Sequence, residues 1–259
     1  MNEGLLYGTH EVIIHVAFFA LMLAASELGF RLGSKVQGKT SADTKSQIST
    51  VEAAVLGVLA LLLGFTMSMA VSRFDVRKQL LLGEANAINT SLLRAQLLPA
   101  PEGPEIASLL RQYVNVRIQY GTAGNDLARL ESLKTQTAHL QKEFWTRAVT
   151  YAQQDPNEVK AGSLVHSLNE AIDLERARWM ALQNHVPESV IYVNAVVGLL
   201  SIFLVGYTFG VNGPRNLLSM LVLALSITLV LAVIIDLDRP RSGFIRGSQQ
   251  PMIDLLDRQ

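Results

Sequence analysis

Apolar residues along this chain gather into four long blocks, and between the second and third block the pattern changes to polar residues with apolar positions at helical spacing. The blocks cover residues 10–33, 51–72, 189–210 and 217–235. Each is close to the ~20 residues a helix needs to cross a hydrocarbon layer of ~30 Å, so the pattern predicts four membrane-spanning helices. Residues 34–50 hold Lys35, Gly38, Lys39, Ser41, Asp43 and Lys45 and read as a loop, which makes the first two spans a hairpin. The last two spans are separated by little more than Val211, Asn212, Gly213 and Pro214. Gly tolerates positive φ and Pro stops a helix, so these two form a second, tighter hairpin.

Beyond Phe74, Leu80, Leu81, Ala85, Ile88, Leu92, Leu93 and Leu97 recur at three- and four-residue steps, with no Pro or turn cluster before Leu98. That period predicts that the second span continues as one helix well into the solvent, until Pro99, Pro101, Gly103 and Pro104 end it. Further helices are predicted over 105–120, 125–153 and 158–185, the last two separated by Asp155 and Pro156. Their apolar stripes, such as Leu164, Leu168, Ile172, Trp179 and Leu182, read as the core of a bundle. The expected architecture is an all-α integral membrane protein. It has a first transmembrane hairpin (1–73), a helical soluble domain (74–187), a second hairpin (188–236) and a C-terminal tail (237–259).

Composition sharpens this picture. With 259 residues, 49% of them hydrophobic and only 17% charged, the chain is unlike a soluble domain. Its mean hydropathy is +0.28. A formal net charge of zero argues against nucleic acid as a partner. The absence of cysteine excludes disulfides, thiol chemistry and thiolate metal sites. Glu3 and Glu11 stand around the start of the first block, with no Lys or Arg ahead of it, so it reads as a retained anchor rather than a secretion signal. Four spans put both termini and the middle domain on one side of the membrane. Arg73, Arg77, Lys78, Arg176, Arg178, Arg239, Arg241 and Arg246 flank the spans there, against Arg31, Lys35, Lys39, Lys45 and Arg215 on the other side, a bias that points to a cytoplasmic domain.

Enzyme chemistry finds no foothold. The five His residues are dispersed, and there is no HExxH, no Gly-rich phosphate loop and no Asp/Glu/His cluster suited to a metal or nucleophile, so no cofactor is expected. His10 and His15, at the start of the first span, read as interfacial or packed side chains. Gly29 with Gly33 and Gly206 with Gly210 are small-residue pairs that let helices approach closely. Glu27 and Arg31, one turn apart, form a candidate ion pair. Asp236 and Asp238 are expected to pair with the basic cluster of Arg73, Arg77 and Lys78.

The second span carries more information. Gly57, Leu61, Phe65, Ser68 and Ser72 share one face, which passes from apolar to hydroxylated as the helix leaves the membrane. Lining a pore, that face would form a hydrophobic constriction followed by a polar vestibule, with Arg73 and Lys78 as a basic ring favouring anions. The alternative is an ordinary span whose hydroxyls bond back to its own carbonyls and whose Arg snorkels.

Two segments, LGFTMSMAVSRFDVRKQLLLGEANAI and DLDRPRSGFIRGSQQPMIDLL, resemble a bacterial family of bestrophin-like membrane proteins, a likeness that covers essentially the whole chain. A more distant resemblance to bestrophins, pentameric anion channels, rests on Leu63, Gly64 and Phe65, then Arg73 and Phe74, then Lys78. It implies that Leu61 and Phe65 form the neck of a channel, with Gly57 where a third bulky neck residue is expected. Thr66 and Met67 replace the Arg-Asn pair that usually follows the Phe, and no acidic run resembling a calcium clasp is present. The resemblance implies a homo-oligomeric, chloride-like anion channel of the bacterial inner membrane, with inorganic anions and the lipid bilayer as partners and a pentamer by analogy. The rival reading is a membrane-anchored scaffold or sensor whose helical domain binds a protein partner.

Overall fold

The structure, a computed structural model, describes residues 11–154, 158–241, 243–245 and 247–257, so His10, Asp155, Pro156 and Arg246 lie outside the described residues. Among the described residues there are eight helices and no strand: α1 (Glu11–Lys35), α2 (Ala42–Ala95), α3 (Glu102–Thr122), α4 (Leu127–Gln154), α5 (Glu158–Gln183), α6 (Glu188–Asn212), α7 (Leu217–Asp238) and α8 (Gln250–Asp257). The apolar stretches of α1, α2, α6 and α7 are long enough to cross a membrane. α2, at 54 residues, continues far beyond its apolar part. The chain divides into two compact units, Met1–Ser72 with His185–Arg239 and Arg73–Asn184 with Pro240–Gln259.

The connection expected over 34–50 is much shorter than predicted. α1 runs to Lys35 and α2 begins at Ala42, with Gly38 at φ +79° in the turn between them. Ser41 caps α2: its Oγ accepts the Thr44 N–H at 3.2 Å, and residues 42–56 contain no Gly or Pro. α3 likewise starts earlier than the cluster of Pro and Gly suggests. Its first turn accommodates Pro104, because a first-turn N–H has no intrahelical acceptor to lose. Asp126 caps α4 by accepting the Arg129 N–H at 3.0 Å. Gly213, at φ +123°, ends α6 and donates its N–H to the Phe209 carbonyl at 3.0 Å, which turns the chain into α7.

In the unit that holds the apolar helices, α1 and α6 meet backbone to backbone. A Cβ built on Gly29 would fall onto the Phe203 carbonyl, and one on Gly33 onto the Tyr207 carbonyl. Reciprocally, a Cβ on Gly206 would strike the Ser26 carbonyl and one on Gly210 the Phe30 carbonyl. The two small-residue pairs thus interlock with each other. Between helices in hydrocarbon, where no hydrophobic effect drives association, such close approach supplies the dispersion contacts that hold the pair. α7 packs on both α1 and α6. The sides of α1, α6 and α7 turned away from this contact expose bulky aliphatics, among them Val16, Leu21, Leu28, Val196, Leu200, Val222, Leu225 and Leu229, as surfaces bathed by lipid tails require.

The other unit is a water-soluble bundle with its own core. Leu81, Ile88 and Leu92 from α2 join Ile106, Leu110 and Val114 from α3, Leu133, Leu140 and Phe144 from α4, and Leu164 and Leu168 from α5. Met252 and Leu255 of α8 close it. Leu93 and Leu97, counted in the stripe by sequence, are instead exposed.

The interlock sets a sharp contrast among glycines. Gly206→Val should destabilise the protein in detergent by about 3 kcal/mol or more, because backbone rather than a flexible side chain blocks the added carbons. Gly64→Ala, whose Cβ would meet nothing within 4 Å, should leave thermal unfolding within about 1 kcal/mol of the wild type. Equal stability of the two variants would contradict this packing.

Candidate functional site

Every apolar helix has a side that faces away from its own chain, and that of α2 differs from the other three. Leu59, Leu63, Thr66 and Ala70 form its buried side. On the opposite side, about 180° around the helix at ~100° per residue, stand Gly57, Leu61, Phe65, Ser68 and Ser72, all exposed. Leu61 is 62% and Phe65 70% accessible. The same line, at three- and four-residue steps, continues backwards through Ala54, Thr50, Gln47 and Asp43 and forwards through Asp75 and Gln79, and each of these is exposed as well. It is polar at both ends, small in between, and carries two bulky apolar side chains at its centre.

Hydroxyl groups separate the two sides further. In the spans, Ser34, Thr66, Ser201, Thr208, Ser226 and Thr228 each donate to the carbonyl four residues back. Thr66 also accepts from Asn194 Nδ2 at 2.9 Å, which ties α2 to α6 at membrane depth. Ser68 and Ser72 have no hydrogen-bond partner among the described residues.

The basic residues do not share this line. Arg73 is partly buried and lies about 120° around the helix from it. Lys78 is exposed but about 100° away. Arg77 is buried within the soluble unit. The structure therefore groups the proposed neck and hydroxyl positions on one face and sets the expected basic ring off it. Near the far end of α1, Arg31 donates to Glu27 at 2.8 Å, and Arg215 pairs with the same carboxylate while its guanidinium lies 5.3 Å over the Phe30 ring. Asp236 and Asp238 are both buried. Asp238 accepts the Val186 N–H on both carboxylate oxygens, at 2.9 and 3.0 Å, with His185 Nδ1 at 3.4 Å.

The soluble unit contains a cluster that reading the sequence did not find. Glu84, wholly buried, receives Arg117 Nε at 2.7 Å and Arg178 Nη1 at 2.9 Å, and Arg117 reaches Glu175 at 3.2 Å. Two carboxylates thus balance two guanidiniums. Tyr113 donates to Glu84 at 3.3 Å, Arg178 donates to Gln249 of the tail at 2.9 Å, and the guanidiniums of Arg117 and Arg241 lie 5.2 and 4.9 Å from the centre of the Tyr120 ring. A signal existed: Glu84, Arg117 and Arg178 each interrupt the apolar stripe of a different helix. Burial alone would raise the Glu84 carboxyl, but the charges and hydrogen bonds of Arg117 and Arg178 outweigh it and hold the group below its ordinary value. Burial, then the Glu84 charge, pushes the Tyr113 phenol well up.

Comparison with known proteins agrees with this architecture. The family profile described as "Bestrophin-like domain" matches residues 17–252. No curated protein matches the chain. A crystal structure of a bacterial bestrophin homologue from Klebsiella pneumoniae carrying a single substitution is similar with a TM-score of 0.69 at 13% identity, over 97% of this chain and 100% of that one. Another crystal structure of a bacterial bestrophin homologue from Klebsiella pneumoniae gives 0.68 at 15% identity, over 95% and 98% of the two chains. A crystal structure described only as a membrane protein gives 0.65 at 14%, over 96% and 100%. At these identities the likeness is one of fold.

The buried charge cluster is the feature most open to direct challenge. Glu84→Gln leaves two buried guanidiniums facing a single carboxylate and should cost about 3–5 kcal/mol of stability, seen as a lower thermal midpoint in detergent. Because the folded Glu84 value lies below 4.5, its contribution is complete above that pH and is lost as pH falls through the lower, folded value. The loss on substitution should therefore shrink in acid. A midpoint unchanged at neutral pH would contradict the cluster's role.

Proposed function

The chain belongs to the bestrophin-like family, and from that premise we propose that copies of it assemble into an ion channel whose passage is lined by α2. The observation that carries this reading is the exposed line of α2 from Asp43 to Gln79. A helix meeting only lipid would expose bulky aliphatics, as α1, α6 and α7 do. α2 does so on its flanks, at Val51, Val58 and Val71, but along this line it exposes Gly57, Ser68 and Ser72 around Leu61 and Phe65, and the free hydroxyls of Ser68 and Ser72 call for water.

Copies gathered with this line inward would place rings of Leu61 and Phe65 at the narrowest level. Such a constriction closes by expelling water and opens when slightly widened. Gly57 leaves the neck two rings long. Ser68 and Ser72 would then line a hydrated chamber toward the soluble unit. The family resemblance supports a homo-oligomer, with five subunits by analogy. It also supports the bacterial inner membrane as location, and the surplus of basic residues flanking the spans on the side of the soluble unit supports the cytoplasm for that unit. Inorganic ions are the substrates, and the sign of the permeant ion follows from whichever charges face the passage; the resemblance points to anions.

Removing the ring at the neck tests this directly. Phe65→Ala protein reconstituted into planar bilayers should pass roughly several-fold more current than the wild type, because the dewetted segment shortens. If neither protein conducts, the channel fails as an explanation, and the helical unit becomes the working part of a membrane-anchored scaffold.

A further inference from the structure

Charge is sorted around α2 in a way that bears on selectivity. Between Ala42 and Gln79 the exposed line carries Asp43 and Asp75 and no basic residue. Lys45, Arg73 and Arg77 stand on the opposite, buried or half-buried side, and Lys78 lies on the flank. Asp43 falls in the first turn of the helix, where the macrodipole favours a carboxylate for structural reasons alone. No such reason applies to Asp75, deep inside a continuous helix. It has no ion-pair or hydrogen-bond partner among the described residues, although Lys78 is three positions away. It follows Ser72 by three residues and Phe65 by ten, about 15 Å along the helix at ~1.5 Å per residue.

We infer that Asp75 sets the charge selectivity of the passage and makes it favour small cations over anions. This rests on the channel reading and departs from the anion preference that the family resemblance implies. One carboxylate from each subunit, in register just past the hydroxyl positions, forms an acidic ring. Such rings raise the local concentration of cations and deplete anions. An anion preference would need a cation on the same line, and α2 places Arg73 and Arg77 on its other side. The arrangement also predicts a salt dependence. The Debye length falls from ~30 Å at 0.01 M to ~10 Å at 0.1 M, so the reach of the acidic ring shrinks and the preference should weaken as ionic strength rises.

The test is the reversal potential of wild-type protein in planar bilayers under a potassium chloride gradient, with Asp75→Asn, Asp75→Glu and Asp75→Lys measured alongside. The wild type should reverse on the potassium side. Asp75→Asn should lower the potassium-to-chloride permeability ratio by about threefold or more, Asp75→Glu should keep it, and Asp75→Lys should move the reversal toward chloride. Asp75 is exposed on the helix surface, so these replacements leave the core untouched, and elution as a single assembly in size-exclusion chromatography checks the fold. Current that favours chloride in the wild type, or a ratio indifferent to Asp75→Asn, overturns the inference while leaving the channel standing. Absence of current in the wild type overturns both.

Discussion

A helix in hydrocarbon must give each polar group either a partner within the protein or a path to water, because lipid tails offer neither donor nor acceptor. That requirement divides α2 along its length. Thr66, on the buried side, has two partners, the Leu62 carbonyl at 2.7 Å and Asn194 at 2.9 Å. Ser68 and Ser72 come two and six residues later on the other side and have none among the described residues. The exteriors of α1, α6 and α7 are mainly aliphatic, and their mid-span hydroxyls Thr208 and Ser226 bond back to their own helices. The functional reading follows from this contrast between surfaces rather than from any single residue.

Packing supports the same division. α1 and α6 are joined through four glycines whose backbones leave no room for a Cβ, while Gly57 and Gly64 of α2 face open space. Glycines of the first kind are explained by the helix they touch. Those of the second kind weaken helix propensity with no contact inside one chain to offset it. Close approach of another copy, or clearance beside the bulky rings of Leu61 and Phe65, would account for them.

Much of the fold was legible in the sequence because two solvents imprint two compositions. The four spans and the long continuation of α2 follow from apolar length and from a helical period unbroken by Pro. Local chemistry was harder to read. The nine helical residues before the second span, seven of them polar, read as a loop, since polarity hides a helix whose only sign is the Ser41 cap. Arg73 and Lys78 adjoin Ser72 and Gln79 of the exposed line in sequence, but at ~100° per residue adjacency in sequence means separation around the helix. The cluster of Glu84, Arg117 and Arg178 was hard to read for a different reason: each alone is an anomaly on an apolar stripe, and only the three-dimensional meeting of their helices neutralises them.

The chain's lack of cysteine permits the most direct test of the central claim, that water reaches one side of α2 inside the membrane. Single cysteines can be placed in turn from Gly57 to Ser72 and probed with a charged, water-soluble thiol reagent in reconstituted bilayers. The account predicts modification with loss of current at positions 68 and 72, a dependence on channel opening at 61 and 65, and protection at 59, 63 and 70. Uniform protection along the helix, or reactivity centred on the side of Leu59 and Leu63, would contradict it.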